Sequence, residues 1–354
     1  MIRTRFTERF GVEVPVVSAP MAFHSGSSLA AAVSLSGGLG TFGADPLQSA
    51  PVFQAHLRAV RAATDKPFGV GFITHLLPLM THLFDAALEA QVPVVALSFA
   101  PVEPWAGRAK RAGAQVVCQV QTLELAYDAL EAGADALAVQ GHEAGGHTGT
   151  MGLLPFLTRV LDLAGDTPVL AAGGIGNGRA LAGVLAAGAD GAWVGTPLLA
   201  TPEAVEVPET YKQLVVDSDG QDTVFTSLFD RVYEVPGLPW PEPVAVRMRR
   251  NPLVDAWRGR EAEAAEHLEE LRAQWPDLGQ WLSAFDPARS PALYGQSAAS
   301  VQAVRPVAEV IGSMVGEAER LLAERAGELL GTCGPRIDSQ GSDRPGSAGQ
   351  ASGG

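Results

Sequence analysis

Eight short apolar runs recur through the first 200 residues, at 15–19, 40–43, 68–73, 92–99, 115–120, 135–139, 168–172 and 191–194. Helix-forming stretches separate them, at 27–36, 48–64, 77–90, 102–112, 123–132, 153–164 and 179–187. Most of the apolar runs are continuous rather than alternating, as expected when both faces of a parallel sheet are covered. Eight such units point to a closed (β/α)8 barrel, with an open doubly wound sheet as the structural alternative, since periodicity does not decide closure. The echo of Gly133-Ala134-Asp135 in Gly188-Ala189-Asp190 favours repeated αβ units, each a helix-ending glycine followed by the start of a strand.

After Thr196 the rhythm breaks. Prolines cluster at 236, 239, 241, 243 and 252, the stretch 221–233 reads as strand or loop, and 254–274 is a charged helix with Trp257, Leu268 and Leu271 as packing positions. A second helical region spans 301–330. The expected organisation is α/β: a barrel over 1–200 with a smaller, mostly helical second domain. Residues 201–290 form an inserted, substrate-side helical region, 291–332 a helical segment packing back on the barrel, and 333–354 a Gly/Ser/Gln-rich disordered tail.

Composition narrows the partners. The chain is 47% hydrophobic and 18% charged with a net charge of −14, which argues against nucleic acid and against an anionic membrane surface. Cys118 and Cys333 are the only cysteines; Cys118 lies in an apolar run and reads as core. With no apolar leader stretch and no segment of transmembrane length, a soluble cytoplasmic protein is expected.

The chemistry concentrates at 139–149, Val-Gln-Gly-His-Glu-Ala-Gly-Gly-His-Thr-Gly, which follows the sixth apolar run. Four glycines mark a place where backbone must come close to something, and an imidazole within such a loop is a natural base. Barrels carry function at the C-terminal ends of their strands. Reading only those ends collects Ala19, Pro20 and Met21; Thr74 and His75; Gln119 and Gln121; Gln140, His142 and His147; Gly173 and Gly174; Gly195 and Thr196. The glycines after the seventh and eighth runs suit a phosphate held by backbone N–H groups and helix N-termini, against the plainer reading of turn residues. Gln119 and Gln140 are either satisfied buried amides or polar handles for a planar cofactor or substrate, and Met21 is either core or an adaptable surface against a flat ring. His147 is the expected catalytic base, against a histidine satisfied within its own loop. His142 as a metal ligand lacks further ligands at zinc-like spacing, so no metal is expected. His24 and His75 read as surface or supporting residues, and Glu143 either orients a histidine or faces solvent.

Taken in order, Ala19-Pro20-Met21, Gly37-Gly38-Leu39-Gly40, residues 140–147, Ala172-Gly173-Gly174-Ile175, Gly195-Thr196 and, near the end, Tyr294-Gly295-Gln296-Ser297 make the chain resemble the nitronate monooxygenases, formerly called 2-nitropropane dioxygenases. The resemblance implies a (β/α)8 barrel that binds FMN non-covalently. It implies FMN contacts from Ala19, Pro20, Met21, Gln119, Gln140, Gly145 and Gly146, and a phosphate site at Gly173, Gly174, Gly195 and Thr196. It matches His147 to the family's catalytic base. Gly71 and Gln119 stand where the family often has Asn and Lys.

The implied reaction oxidises an alkyl nitronate or nitroalkane with O2 to a carbonyl compound and nitrite. An imidazole suffices to make the nitronate from the neutral compound, because the resulting anion spreads onto the nitro oxygens. Two other readings stand beside it: a reductase on the same scaffold, passing electrons from NAD(P)H to a quinone or enoyl thioester, and a flavin-binding protein without turnover. The partners expected are a small substrate and O2; a helical second domain and exposed barrel edges also allow a homodimer.

Overall fold

The computed structural model describes residues 2–235 and 237–331. The tail expected at 333–354 lies outside the described residues. The strands, in chain order, are β1 (Val16–Ser18), β2 (Gly40–Gly43), β3 (Phe68–Ile73), β4 (Val94–Ser98), β5 (Gln115–Val120), β6 (Ala136–Gln140), β7 (Gly146–Thr148), β8 (Val169–Ala172), β9 (Gly191–Val194), β10 (Thr223–Thr226) and β11 (Ala245–Arg249). All but β7, β10 and β11 form one parallel sheet in the order β1-β9-β8-β6-β5-β4-β3-β2. Its two ends meet: Val17 bridges Leu39 in parallel, Ser18 N donates to Leu39 O at 3.1 Å and Leu39 N to Val16 O at 2.9 Å. The sheet is therefore a barrel, and the open doubly wound alternative is excluded.

Strand parity sorts the side chains, because successive residues of a strand point to opposite faces. Val95, Leu97, Val116, Cys118, Leu137 and Val139 belong to the layer between strands and outer helices. Their neighbours Val94, Ala96, Val117, Ala136, Ala138, Leu170 and Trp193 fill the barrel interior. Cys118 is fully buried in the outer layer, where burial pushes its thiol well above the ordinary range. The interior is lined mostly by small residues and is stoppered at its N-terminal end by Phe6 and Phe10, whose rings stack at 4.6 Å. They sit on the helix Arg5–Phe10, which begins with a capping box built on Thr4 and Thr7.

The repeated Gly-Ala-Asp does what its spacing suggests and more. Gly133 and Gly188 have φ of +71° and +108°, ending their helices in a conformation that favours glycine. The aspartates then reach sideways: Asp135 Oδ2 accepts from Val116 N and Asp190 Oδ2 from Val169 N, each at 2.9 Å. Asp190 also receives Arg5, Nε at 2.9 Å and Nη2 at 2.7 Å, so one buried carboxylate latches the N-terminal stopper to the barrel wall.

Beyond the barrel the sequence reading needs correction in three places. Residues 201–290 are not simply helical: β10 and β11 pair antiparallel, and β11 pairs antiparallel with β7, a strand made from the glycine loop itself. The stretch 221–233 is a strand followed by the helix Leu228–Val232. The charged helix expected over 254–274 is split into the helices Pro252–Trp257 and Leu268–Gln274, joined by a 3-10 turn, Glu263–His267. Gly259, at φ +78°, turns the chain between them, so that Trp257 and Leu271 enter the same small core. The last helix, Val307–Leu330, packs on Gly178–Ala186 so closely that a Cβ on Gly178 would stand 2.4 Å from Met314 O. No helix of the described residues is long and apolar enough to cross a membrane.

Gly40 provides a test of this packing. A Cβ there would lie 1.7 Å from the carbonyl oxygen of Ala30, a backbone atom of the helix Ser27–Leu35 that cannot rotate away. Gly40→Ala is expected to destabilise the fold by about 3 kcal/mol, as overpacking at a rigid neighbour does. Urea unfolding checks this; a variant within about 0.5 kcal/mol of the parent would contradict the packing described.

Candidate functional site

At the C-terminal end of the barrel the strands open into a cavity of about 230 Å³. Its wall brings together Ala19, Pro20 and Met21 after β1, Gln119 on β5, Gln140 on β6, Gly145, Gly146 and His147, Gly173 and Gly174 after β8, and Gly195 and Thr196 after β9, whereas Thr74, His75, Gln121 and His142, also read from the strand ends, do not line it. Parity explains the two amides. Gln119 and Gln140 are in phase with Val117 and Ala138, so they point inward, and they do so at the open end.

The two amides then part ways. Gln140 is satisfied by protein: its Oε1 accepts from Gln121 Nε2 at 2.9 Å and its Nε2 donates to the carbonyl of His147 at 3.0 Å. Among the described residues Gln119 has no side-chain hydrogen bond, and it remains half-exposed to the cavity. The indole N–H of Trp193, on the same wall, is buried without a partner.

The glycines are needed by geometry at Gly173 and Gly145. Gly173 has φ +97°, and a Cβ on it would meet Gly141 O at 3.0 Å and Ala144 N at 3.1 Å. A Cβ on Gly145 would strike Gly295 N at 2.4 Å. That contact accounts for the late Tyr294-Gly295-Gln296 motif: Gly295 N donates to Thr196 Oγ1 at 3.0 Å and Gln296 N to the Glu143 carbonyl at 3.0 Å, so the segment braces the loops from behind. At the start of the helix Gly178–Ala186 one N–H group is already taken, since Asn177 Oδ1 accepts from Ala180 N at 2.9 Å.

The loop 141–149 is held from all sides. His142 Nδ1 donates to Gly149 O at 2.8 Å and its ring packs on Phe225. Glu143 accepts from Leu153 N at the start of the helix Leu153–Ala164, so it caps that helix and orients no histidine. Arg247 Nε reaches over from β11 to the carbonyl of His142 at 2.9 Å. His147 itself lies opposite Val246 in the β7–β11 pairing.

His147 Nε2 is 2.6 Å from Asp230 Oδ1, with both side chains largely buried. A carboxylate only accepts, so Nε2 carries the proton and the neutral ring keeps its lone pair on Nδ1. Nδ1 has no hydrogen bond among the described residues. Phe99 and Phe229 approach the ring edge-on, and the indole of Trp240 lies over it at 3.3 Å between centroids and 11° between planes. His75 meets the same indole at 4.5 Å, and both its nitrogens are buried without a partner. Burial, and next the neighbouring His147, lower the His75 imidazole to about 4. Phe23, Tyr233, Leu278, Trp281 and Leu293 complete an aromatic and apolar chamber beside it. Sequence reasoning missed Asp230, Trp240 and this chamber; no motif marks them, and the β7–β11 pairing is what brings 225–240 over the barrel.

The nitronate monooxygenase family profile matches residues 3–80 and 78–235. A relative from Mycobacterium tuberculosis, named (3aS,4S,5R,7aS)-5-hydroxy-7a-methyl-1-oxo-octahydro-1H-indene-4-carboxyl-CoA dehydrogenase, is 36% identical over 231 residues, 65% of this chain; the chain spans 64% of that relative's length. Among solved structures, FabK from Thermotoga maritima superposes with a TM-score of 0.81 at 29% identity, covering 94% of this chain and all of FabK. A nitroalkane oxidase from Streptomyces ansochromogenes gives 0.74 at 28%, covering 92% of this chain and all of the oxidase.

The floor of the site holds a second testable histidine. His24 is buried between Tyr211 and Trp281; its Nδ1 donates to Ala22 O at 3.0 Å, Nε2 has no partner, and burial lowers the ring to about 4. The folded state thus keeps it neutral while the unfolded chain protonates it below pH 6.5. Its contribution to stability is full above that pH and is lost as pH falls from 6.5 towards 4. Between pH 7.5 and pH 4.5 the loss from this residue is expected to be about 2–3 kcal/mol. Urea unfolding of His24→Phe at the two pH values checks it: the gap should shrink by that amount, and an unchanged gap refutes the assignment.

Proposed function

The chain belongs to the nitronate monooxygenase family, and on that premise we propose that it is an FMN-dependent oxidoreductase that converts nitronates, and the nitroalkanes that yield them, with O2 to carbonyl compounds and nitrite. The observation that carries this reading is the His147–Asp230 pair, 2.6 Å apart at the wall of the barrel-mouth cavity.

The residues fit FMN. Pro20, Met21 and Ala172 offer an apolar surface for a flat ring, and Gln119 Nε2 and Oε1 and the unpartnered Trp193 N–H offer polar contacts at its edge. The backbone of Gly173, Gly174 and Gly195 suits a phosphate, and Thr196 keeps its hydroxyl proton to donate while its oxygen accepts from Gly295 N. Backbone donors of this kind let a protein of net charge −14 hold an anion. When bound, FMN would supply the passage of electrons from the substrate carbon to O2.

The protein's own residues do the rest. Asp230 holds Nε2–H of His147, fixing the tautomer and the tilt of the ring. The lone pair of Nδ1 then takes the α-proton of a nitroalkane, a carbon acid whose anion spreads over the nitro oxygens. Phe99, Phe229 and Trp240 pack around the ring and hold its position. A nitronate supplied ready-made needs no base. The similarity to the Mycobacterium tuberculosis carboxyl-CoA dehydrogenase, together with the apolar chamber, supports a second reading: electron transfer between an acyl thioester and the flavin, or from NAD(P)H to an enoyl thioester or quinone.

Anaerobic mixing separates the two. Nitronate should bleach the flavin, with nitrite appearing once O2 is admitted; fast bleaching by NADH or NADPH and none by the nitronate would replace the first reading with the second. His147→Ala is expected to lose turnover of neutral nitroethane by about 10²–10⁴-fold and to keep ethyl nitronate within a few-fold. Asp230→Asn, whose amide can also donate and so force the proton onto Nδ1, is expected to lose at least about 10²-fold on nitroethane alone. Equal losses on both substrates in steady-state assays would deny His147 the role of base.

A further inference from the structure

The cavity has polar groups on its wall but no fixed charge. Among the described residues that line it there is no Lys, Arg, Asp or Glu. Two histidines face it. His24 is held neutral by burial, which lowers it to about 4, and its Nε2 is sealed from solvent as well as unpartnered. His147 differs. Asp230 engages its Nε2 at 2.6 Å and Trp240 covers a face of the ring, which leaves the edge that carries Nδ1. That nitrogen has no hydrogen bond among the described residues, yet it is not one of the sealed polar atoms, so a group in the cavity can reach it. His147 is thus the one side chain of the described wall suited to become a cation.

The charges on the surrounding elements leave it in that position. Arg231, next to Asp230 on the helix Leu228–Val232, does not line the cavity. Arg247 lies opposite Gly146 on β11, on the face away from Val246 and Met248, and there it bonds the carbonyl of His142 and Thr223 Oγ1. Glu143 is engaged by Leu153 N, and Glu234 and Glu242, on the segment that carries Trp240, are exposed. His75, near enough to feel His147, is kept neutral by burial, which lowers it to about 4. Tyr233 keeps its proton, since burial raises its hydroxyl. An anion in the cavity would therefore meet dipoles alone, with the Asp230 carboxylate behind the imidazole, and an anion taken out of water without a cation is costly.

We propose that His147 is the anion-binding residue of this cavity as well as its base, and that small monoanions whose charge is shared by two oxygens, nitronates and carboxylates alike, enter together with one proton. The proton passes from solvent to Nδ1. The imidazolium then stands between Asp230 at Nε2 and the anion at Nδ1, and each ring N–H donates to an oxygen in the plane of the ring. This rests on the reading of His147 as the reacting residue and gives that residue a task for each form of the substrate. A neutral nitroalkane binds while Nδ1 is bare and gives Nδ1 its α-proton. A ready-made nitronate brings the proton with it. Both routes arrive at the same imidazolium–nitronate pair, and a carboxylate competes for that place. Where the free protein keeps Nδ1 bare, affinity for an anion falls about ten-fold per pH unit, and affinity for a neutral ligand does not.

The test is binding to the purified flavoprotein of trifluoroacetate, too weak a base to hold the proton itself, and of its neutral counterpart trifluoroacetamide. Affinity is read from the flavin absorbance between pH 6 and 9, and proton uptake from calorimetry in phosphate and in Tris at pH 8. Trifluoroacetate is expected to bring in close to one proton and to weaken by about ten-fold per pH unit at the alkaline end, and trifluoroacetamide to do neither. His147→Gln is expected to bind trifluoroacetate at pH 6 at least about ten-fold more weakly and without proton uptake, and trifluoroacetamide within about two-fold. Gln119→Lys, which sets a fixed cation on the wall, is expected to bind trifluoroacetate at pH 8 at least about ten-fold more tightly than the parent and with less proton uptake. In turnover of ethyl nitronate the loss in His147→Gln is expected in KM and not in kcat. Anion binding without proton uptake, no anion binding at any pH, or a His147→Gln variant that keeps the pH slope would overturn the proposal. The binding readouts need no electron transfer. A protein that meets them yet leaves nitronates unoxidised would refute the reaction proposed above and leave the anion site standing, whereas one that oxidises nitronates and takes up no proton would refute the anion site alone.

Discussion

The hydrogen bond from Gln140 Nε2 to the carbonyl of His147 ties the end of a barrel strand to a loop that leaves the barrel and returns to it. Most of the site depends on that tie. Parity on β6 turns Gln140 inward, Gln121 holds its other end, and the His147 carbonyl is drawn over the cavity. With its backbone held there, the loop presents an edge that β11 can pair with, and the pairing carries residues 223–249 across the barrel mouth. A loop so constrained needs glycine where neighbouring backbone approaches, as Gly145 shows against Gly295.

Labour is divided accordingly. The barrel supplies the floor and the glycine loops of the cavity, from residues close to the ends of β1, β5, β6, β8 and β9. The residues after the barrel supply what surrounds His147: Asp230 for its hydrogen bond, Trp240 for its cover, and aromatic rings for the wall. The electrostatics follow the same division. Acidic residues dominate the chain as a whole, yet the cavity wall is apolar and aromatic with few charged groups. Inside such a wall a single ion pair or an unpaired N–H counts for more than it would in water.

Much of this was legible in the sequence, and for identifiable reasons. A parallel barrel buries both faces of its strands, so the eight runs are apolar end to end and stand out as the barrel strands. Strand parity and strand ends are local properties, which is why Gln119, Gln140 and His147 could be assigned to the cavity from their positions alone. The Gly-Ala-Asp echo belongs to the same class, since a positive-φ glycine and the strand that follows it are set within three residues. Where the reading failed, in 201–290, the elements are short and half-buried, and β10 and β11 draw their regularity from pairing with each other and with β7. Gly259 likewise breaks a charged stretch whose composition suits one continuous helix.

What the sequence by itself determined, then, is the eightfold strand–helix alternation, the loops at the strand ends and the histidine within the glycine loop, because each follows from periodicity or from backbone requirements spanning a few residues; closure into a barrel came with the bridge between Val17 and Leu39. The tertiary structure alone decided the partner and the cover of that histidine. Asp230 stands 83 residues from His147 and Trp240 lies on a proline-rich strap, and neither carries a local signature. Contacts across such separations are set by how the appended sheet docks on the barrel, and docking is a property of packed surfaces rather than of any stretch of chain.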